Sequence, residues 1–267
     1  MKKISTVVKE DLWHTPDGYQ RTSKKLQRVY LEKLLDRMPI SGRILDVGCG
    51  TGNSLDILDL TKVDKYLGVD ISNAMIRFAS ERFPDYSDSF IQKDFLSIDK
   101  DSLGLFDHAV CAACLHWFHP DQKSVISSIY DLLKDGGYLH LSTALSFEFI
   151  PSEEGAQEEV LKEVRRKYSP VREIDTFSSR RATRETIADM LKPFTLMSIS
   201  QHEEKLSFES FDDFKDWHVG SGSVIAKQFS PEVQSLATDL YYKLLFSRYE
   251  RGEYEVAYAT ALINAQK

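Results

Sequence analysis

The chain has 267 residues, of which 42% are hydrophobic and 28% charged, and its formal net charge is -7. This composition is ordinary for a folded globular protein and excludes wholesale disorder. The negative charge gives no general attraction to phosphate backbones, which argues against nucleic acid and favours small molecules or proteins as partners. The longest apolar run, residues 109–115, is far shorter than the ~18 residues that cross a bilayer. We therefore expect no membrane partner, and only three cysteines fit a cytoplasmic protein.

Helical periodicity comes first along the chain, over residues 23–37, where apolar side chains recur every three or four positions. From residue 43, short β-rich runs alternate with helical segments. The predicted strands are 44–47, 66–69, 90–92, 106–112 and 138–143, with helices from Asn53, Asn73 and Gln122. Such alternation predicts a parallel sheet wound on both faces. We expect Ser72 or Asn73 to cap the second helix and Gly136-Gly137 to end the third.

The second half of the chain is more helical and contains two further strands. Helices are predicted over 152–168 and 184–191, strands over 194–201 and 254–263, and a helical excursion over about 208–249. Because this excursion separates the last two strands, we predict a hairpin that carries a lid. The expected domains are an N-terminal helical segment (1–40), a core (41–145), a rim insertion (146–182), the end of the sheet (183–206 and 253–267) and a helical substrate lid (207–252).

A glycine loop follows the first predicted strand, running from Asp46 through Gly48, Gly50 and Gly52. Glycine lacks the Cβ that would keep a ligand away from the backbone. Asp70 ends the next predicted strand, where a carboxylate can accept ribose hydroxyls of a nucleoside. The dinucleotide fingerprint needs another glycine at position 53, which is asparagine in this chain. The pattern therefore favours S-adenosylmethionine, which has no pyrophosphate, over NAD.

The same segment resembles the first motif of class I S-adenosylmethionine-dependent methyltransferases. Residues 44–52 read Ile-Leu-Asp-Val-Gly-Cys-Gly-Thr-Gly, and residues 68–72 resemble the second motif. Residues 93–95, 106–117 and 135–137 resemble the later ones. The resemblance covers roughly residues 40–143. It implies an α/β, doubly wound, seven-stranded and mostly parallel sheet of the Rossmann-like methyltransferase fold, with a helical lid inserted between the last two strands.

By this resemblance, the cofactor-binding residues follow the carboxyl ends of successive strands. The methionine part would lie against the first and fourth strands, the ribose on the second, and the adenine beyond the second and third. For Met75 and Phe95, plain core packing is the competing interpretation. The residues implied are Asp46, Gly48, Cys49, Gly50, Asp70, Ile71, Met75, Asp94, Phe95, Cys111 and Ala112.

The segment after the fourth predicted strand, residues 114–120, is the catalytic candidate because ligands bind at this edge of doubly wound sheets. His116 would act either as a general base toward a hydroxyl or as a hydrogen-bond donor to a carboxylate. Trp117 would line the pocket, and a purely structural His-Trp pair is the alternative. Cys111-x-x-Cys114 also invites a zinc or redox interpretation, but its strand context argues against one, and we expect no metal.

Tyr19, Gln27 and the Leu115-His116-Trp117 sequence resemble a small-molecule subset that includes trans-aconitate and juvenile-hormone-acid methyltransferases, which esterify carboxylates. This implies that Tyr19 and Gln27 lie near the cofactor. The expected function is in-line methyl transfer to oxygen of a small hydrophobic acceptor, with S-adenosylhomocysteine as product. Methylation of carbon or nitrogen, and a non-catalytic binding module, remain alternatives, as do monomer and homodimer. The expected acceptor-binding residues are Tyr19, His116, Trp117, Phe147 and Trp217.

Overall fold

A computed structural model describes residues 16, 24–36, 38–146, 151–174, 180–208, 210–220, 225–248 and 254–267. Their contacts divide the chain into two units. The sheet unit comprises residues 24–145, 182–202 and 260–267, and the helical unit comprises the remaining described residues. No α-helix in the described ranges is long and apolar enough to span a membrane.

The sheet has seven strands in the order β3-β2-β1-β4-β5-β7-β6. Neighbours from β3 to β5 run parallel, and β7 runs antiparallel to β5. The predicted doubly wound, mostly parallel sheet is therefore confirmed. The strands are β1 (Gly42–Val47), β2 (Val63–Asp70), β3 (Phe90–Gln92), β4 (Phe106–Ala112), β5 (Leu133–Ala144), β6 (Thr195–Phe208) and β7 (Tyr254–Gln266).

The α-helices follow the predicted periodic segments closely. They are α1 (Lys24–Leu35), α2 (Asn73–Arg82), α3 (Gln122–Leu132), α4 (Pro151–Lys167), α5 (Arg184–Met190), α6 (Phe211–Gly220) and α7 (Pro231–Arg248). Of the two predicted caps of α2, Ser72 is confirmed, since its hydroxyl accepts a hydrogen bond from the Met75 N–H at 3.3 Å, while Asn73 is the first residue of the helix. In the helical unit, α4 and α7 share a core with Phe214 of α6.

Two local predictions were wrong. The helix expected from Asn53 is a four-residue 3-10 turn, Asn53–Asp56, and a second 3-10 turn, Leu60–Lys62, leads directly into β2. Gly136-Gly137 does not end α3, which stops at Leu132, but lies within β5. Gly136 has a φ of +79°, and a Cβ on Gly137 would lie 2.9 Å from the Lys134 carbonyl oxygen. Both glycines are thus needed for the irregular start of this strand.

The fold places the site at the carboxyl ends of β1, β2 and β4. The strand order reverses beside β1, which has β2 on one side and β4 on the other. In parallel sheets of this kind the helices diverge at such a point and leave a crevice above the strand ends. β1 and β4 are mostly apolar because helices cover both faces of the sheet. Ile44 and Leu45 in β1 and Val110 in β4 are fully buried.

Candidate cofactor and acceptor site

The glycine loop after β1 turns through three glycines with positive φ: Gly48 at 69°, Gly50 at 53° and Gly52 at 75°. A Cβ on Gly48 would lie 2.6 Å from the Cys114 Cβ, so this glycine is required by packing. A Cβ on Gly50 would meet no atom within 4 Å. The loop therefore packs tightly against the segment after β4 at its first glycine and faces open space at its second, where a ligand can approach the backbone.

Asp70 ends β2 beside this open part of the loop. Its Oδ2 accepts a hydrogen bond from the Gly50 N–H at 2.9 Å, and its Oδ1 accepts one from the Ser72 N–H at 2.8 Å. Burial raises the pKa of Asp70, while the Ser72, Gly50 and Ile71 N–H groups lower it. Because a carboxylate has about four acceptor positions, this anchored side chain keeps capacity for hydroxyl donors.

Asp46, predicted beside the methionine part of the cofactor, is buried among protein groups. Its Oδ2 accepts hydrogen bonds from the Ser54 hydroxyl and, at 2.7 Å, from the Tyr66 hydroxyl. Burial raises the pKa of Asp46 to about 6, although both hydroxyls lower it. Sequence reasoning missed these two partners, because contacts across 8 and 20 residues leave no local pattern.

The residues predicted around adenine lie after β2 and β3. Met75 on α2 and Phe95 after β3 are both buried, and Ile71 is half-buried. Asp94 caps the 3-10 turn that begins at Phe95, because its Oδ1 accepts the Leu96 N–H at 3.1 Å. Burial of Met75 and Phe95 agrees with core packing and with an adenine contact alike.

The end of β4 contributes two buried thiols and one strained residue. The Sγ atoms of Cys111 and Cys114 lie 3.2 Å apart, and the Cys114 thiol donates to the Val47 carbonyl at 2.9 Å. Hydrogen bonding to Cys111 and burial raise the pKa of Cys114 well above its ordinary value.

Ala113, between these two cysteines, adopts a left-handed φ of 52°. Its N–H donates to the Ser142 carbonyl at 2.9 Å and to the Ser142 hydroxyl at 3.0 Å. Such strain is typical of functional edges, and nothing in the sequence marks Ala113.

The predicted catalytic pair lies on the 3-10 turn that follows, Leu115–Phe118. His116 is buried and Trp117 half-buried, with ring centroids 5.0 Å apart. In the helical unit, Trp217 packs against Phe214 with centroids 6.4 Å apart.

Three further predicted residues lie toward the amino terminus and after β5. Gln27 is half-buried on α1. Tyr19 and Phe147 fall outside the described residues. Among the residues that the structure does describe, no three histidine, cysteine, aspartate or glutamate side chains are grouped to hold a metal ion.

The middle part of the chain also resembles known proteins. Residues 45–139 match the family described as methyltransferase domain. This part of the chain is a methyltransferase domain. The matched residues run from β1 into β5 and include the glycine loop, Asp70 and the Cys111–Trp117 segment.

The curated relatives of this part of the chain include O-methyltransferases. The chain is 30% identical over 133 residues to malonyl-[acyl-carrier protein] O-methyltransferase of Acetivibrio thermocellus, covering 48% of this chain and 44% of that protein. It is 32% identical over 102 residues to juvenile hormone acid O-methyltransferase of Bombyx mori, covering 37% and 36%. The chain thus spans less than half the length of these curated relatives.

A solved structure extends the likeness of the fold beyond the methyltransferase domain. Geranyl diphosphate C-methyltransferase of Streptomyces coelicolor A3(2), in complex with Mg²⁺, geranyl diphosphate and S-adenosyl-L-homocysteine, superposes with a TM-score of 0.52. The sequences are 14% identical, and the match covers 91% of this chain and 79% of that one. At this identity the likeness concerns the fold alone.

Proposed function

We propose that the chain is an S-adenosylmethionine-dependent methyltransferase for a small hydrophobic acceptor, acting on oxygen and preferably on a carboxylate. The observation that carries the proposal is the Asp70 carboxylate, anchored by the Gly50 and Ser72 N–H groups beside the open part of the glycine loop. A carboxylate in this position suits the two hydroxyls of a ribose. Membership of residues 45–139 in the methyltransferase domain family supports the choice of cofactor.

The residues around the loop fit this cofactor in chemistry as well as in space. Asp70 offers charged acceptors, and the open space at Gly50 admits a ligand against the backbone. Ile71, Met75, Asp94 and Phe95 would hold the adenine, while Asp46, Gly48, Cys49, Cys111 and Ala112 would surround the methionine part. Gln27, and Tyr19 from outside the described residues, would cover the cofactor. When bound, S-adenosylmethionine supplies an electrophilic methyl group on a sulfonium.

The protein's own contribution would be alignment and exclusion of water, because in-line methyl transfer needs little acid–base chemistry. Cys114 and Leu115, which follow β4, are buried apolar side chains that would help to keep water out. For a carboxylate acceptor, His116 would donate a hydrogen bond to one oxygen while the other reacts. For a hydroxyl acceptor, His116 would remove the proton. Trp117 would form apolar lining around the acceptor, and acceptor contacts of Phe147 and Trp217 stay predictions from the sequence.

The test is a binding measurement followed by a turnover screen. We expect calorimetry to detect S-adenosylmethionine and S-adenosylhomocysteine, and a labelled methyl donor to label carboxylic acids in preference to phenols and amines. Failure of both cofactors to bind would overturn the proposal. Binding without turnover on any acceptor would favour the non-catalytic module, and a carbon- or nitrogen-linked product would replace the proposed oxygen chemistry.

The role of His116 is tested by replacement with alanine, with His119→Ala as the control from the same segment. A general base is worth roughly 10²- to 10⁴-fold in rate. A positioning donor should cost less and leave the pH dependence of kcat unchanged. If His116→Ala turns over at the rate of His119→Ala, His116 has no part in catalysis.

A further inference from the structure

Arg82, the last residue of α2, reaches back to the glycine loop. Its Nη1 donates to the Thr51 carbonyl at 3.2 Å and to the Asn53 Oδ1 at 2.9 Å, and its Nη2 pairs with the Asp56 carboxylate. The guanidinium also lies over the Phe83 ring, 4.7 Å from the centroid. With only 22% of its side chain exposed, Arg82 contacts three residues of a single six-residue stretch.

This stretch, residues 51–56, has weak backbone support of its own. An α-helix after the glycine loop would hold it with a ladder of hydrogen bonds, but here a 3-10 turn of four residues follows Gly52. The Leu55 N–H donates to the Gly52 carbonyl at 3.1 Å, and the Ile57 and Leu58 N–H groups share the Ser54 carbonyl at 3.0 Å. The side chain of Arg82 therefore supplies hydrogen bonds that a helix would otherwise supply.

Arg82 also connects the two parts of the proposed cofactor site. At its amino end, α2 begins after Ser72, whose N–H holds Asp70. At its carboxyl end, Arg82 holds Thr51 and Asn53, directly beyond the Gly50 N–H that holds the same carboxylate. Because α2 spans only about 15 Å, a rigid helix fixes the distance between these two anchors.

We propose that Arg82 is a positioning residue that holds residues 51–56 in the shape in which the Gly50 N–H meets Asp70, and so presets the loop for the adenosine part of the cofactor. This inference rests on the proposed function. Arg82 touches no reacting atom. One planar fork of donors supplies hydrogen bonds that an α-helix after the glycine loop would otherwise supply.

Three variants separate this role from simple stability. Arg82→Met keeps the apolar part of the side chain and loses every hydrogen-bond donor of the guanidinium. Arg82→Lys keeps a positive charge beside Asp56 but loses the planar set of N–H donors. Arg28→Met is the matched control, since Arg28 lies 3.9 Å from the same Asp56 carboxylate and pairs with Glu32. S-adenosylhomocysteine affinity is measured by calorimetry well below each melting temperature. Hydrogen exchange of peptides covering residues 49–57 and β4 is measured without any ligand.

We expect Arg82→Met to weaken S-adenosylhomocysteine binding on the order of tenfold and to speed exchange in residues 49–57 while β4 is unchanged. KM for the methyl donor should rise with kcat unchanged, Arg82→Lys should recover only part of the loss, and Arg28→Met should stay within about twofold.

Wild-type affinity and wild-type loop exchange in Arg82→Met would overturn the inference, as would equal acceleration in the loop and in β4. If Arg82→Met does not fold, wild-type affinity in Arg82→Lys overturns it instead. Should the wild-type chain bind no S-adenosylhomocysteine, the proposed function fails, whereas loop exchange in the ligand-free variants still tests Arg82.

Discussion

Two polar clusters in the sheet unit satisfy their hydrogen bonds in different ways. At the carboxyl end of β2, Asp70 is half-buried, and backbone N–H groups hold it while acceptor capacity remains. Inside the sheet, a row of side chains crosses β4, β5, β7 and β6. The His108 Nδ1 lies 3.0 Å from the His140 Nε2, the His140 Nδ1 lies 2.5 Å from the Asn264 Oδ1, and the Asn264 amide donates to the Ser198 hydroxyl at 3.2 Å.

This difference in hydrogen bonding distinguishes Asp70, which is suited to binding a ligand, from the interior row, which stabilises the fold. The interior row uses its hydrogen-bonding groups within the protein, as buried polar side chains must. Two backbone N–H groups hold Asp70, which lies beside Gly50, where an added Cβ would meet no atom within 4 Å. We therefore expect changes at Asp70 to affect binding, and changes in the row to affect folding stability.

The largest expected effect is the pH dependence of the row. Burial lowers the pKa of His140 to about 4, Asn264 opposes this, and burial also lowers the pKa of His108. An unfolded histidine titrates near 6.5, so the stability contribution of His140 is complete above pH 6.5 and is lost as the pH falls toward 4. The loss amounts to about 3 kcal/mol for His140.

Urea unfolding from pH 7 to 4 measures this loss. Asp46, with a pKa of about 6, acts in the opposite direction between pH 6 and 4. The wild type is therefore compared with His140→Phe at each pH, which cancels the contribution of Asp46. Parallel curves for the two proteins would show that His140 does not titrate differently on folding.

The next effect is on binding. Asp70→Ala removes charge-assisted hydrogen bonds to the proposed ribose and should cost about 1.5–3 kcal/mol, or roughly 10- to 150-fold in Kd for S-adenosylhomocysteine. Calorimetry measures the affinity. Asp64→Asn is the control, because Asp64 lies exposed at the amino end of the same strand. An unchanged Kd in Asp70→Ala would show that Asp70 does not bind the cofactor. The expected difference between the two polar clusters would then be wrong.

The smallest effect comes from removing one partner within the row. Asn264→Leu leaves the His140 Nδ1 without its partner and should lower the free energy of unfolding by about 1–3 kcal/mol, with S-adenosylhomocysteine affinity preserved. Thr260, on the same strand, is a control for which no loss of stability is expected. Its buried hydroxyl has no hydrogen-bond partner within the described part of the chain, so Thr260→Val should be neutral or slightly stabilising. Lost affinity in Asn264→Leu would mean that the row also supports the site.

Much of the sheet unit follows from local patterns in the sequence. Short β-rich runs predicted β3 and β4 to the residue, and residue type narrowed the cap of α2 to Ser72 or Asn73. The glycine loop and Asp70 were recognisable because positive φ and a strand-end carboxylate restrict the amino acids that fit. These features depend on neighbours in the chain, which a single sequence displays.

Other features were decided only by tertiary structure. The ten residues between Gly52 and β2 form 3-10 turns in place of the predicted α-helix. Gly136 and Gly137 serve β5, the first because of its positive φ and the second because the neighbouring backbone leaves no room for a Cβ. The contacts of Arg82 with the loop join residues about 30 positions apart. Hydrogen bonds of this kind form only after the strands have brought distant segments together, so no periodicity or spacing in the sequence records them.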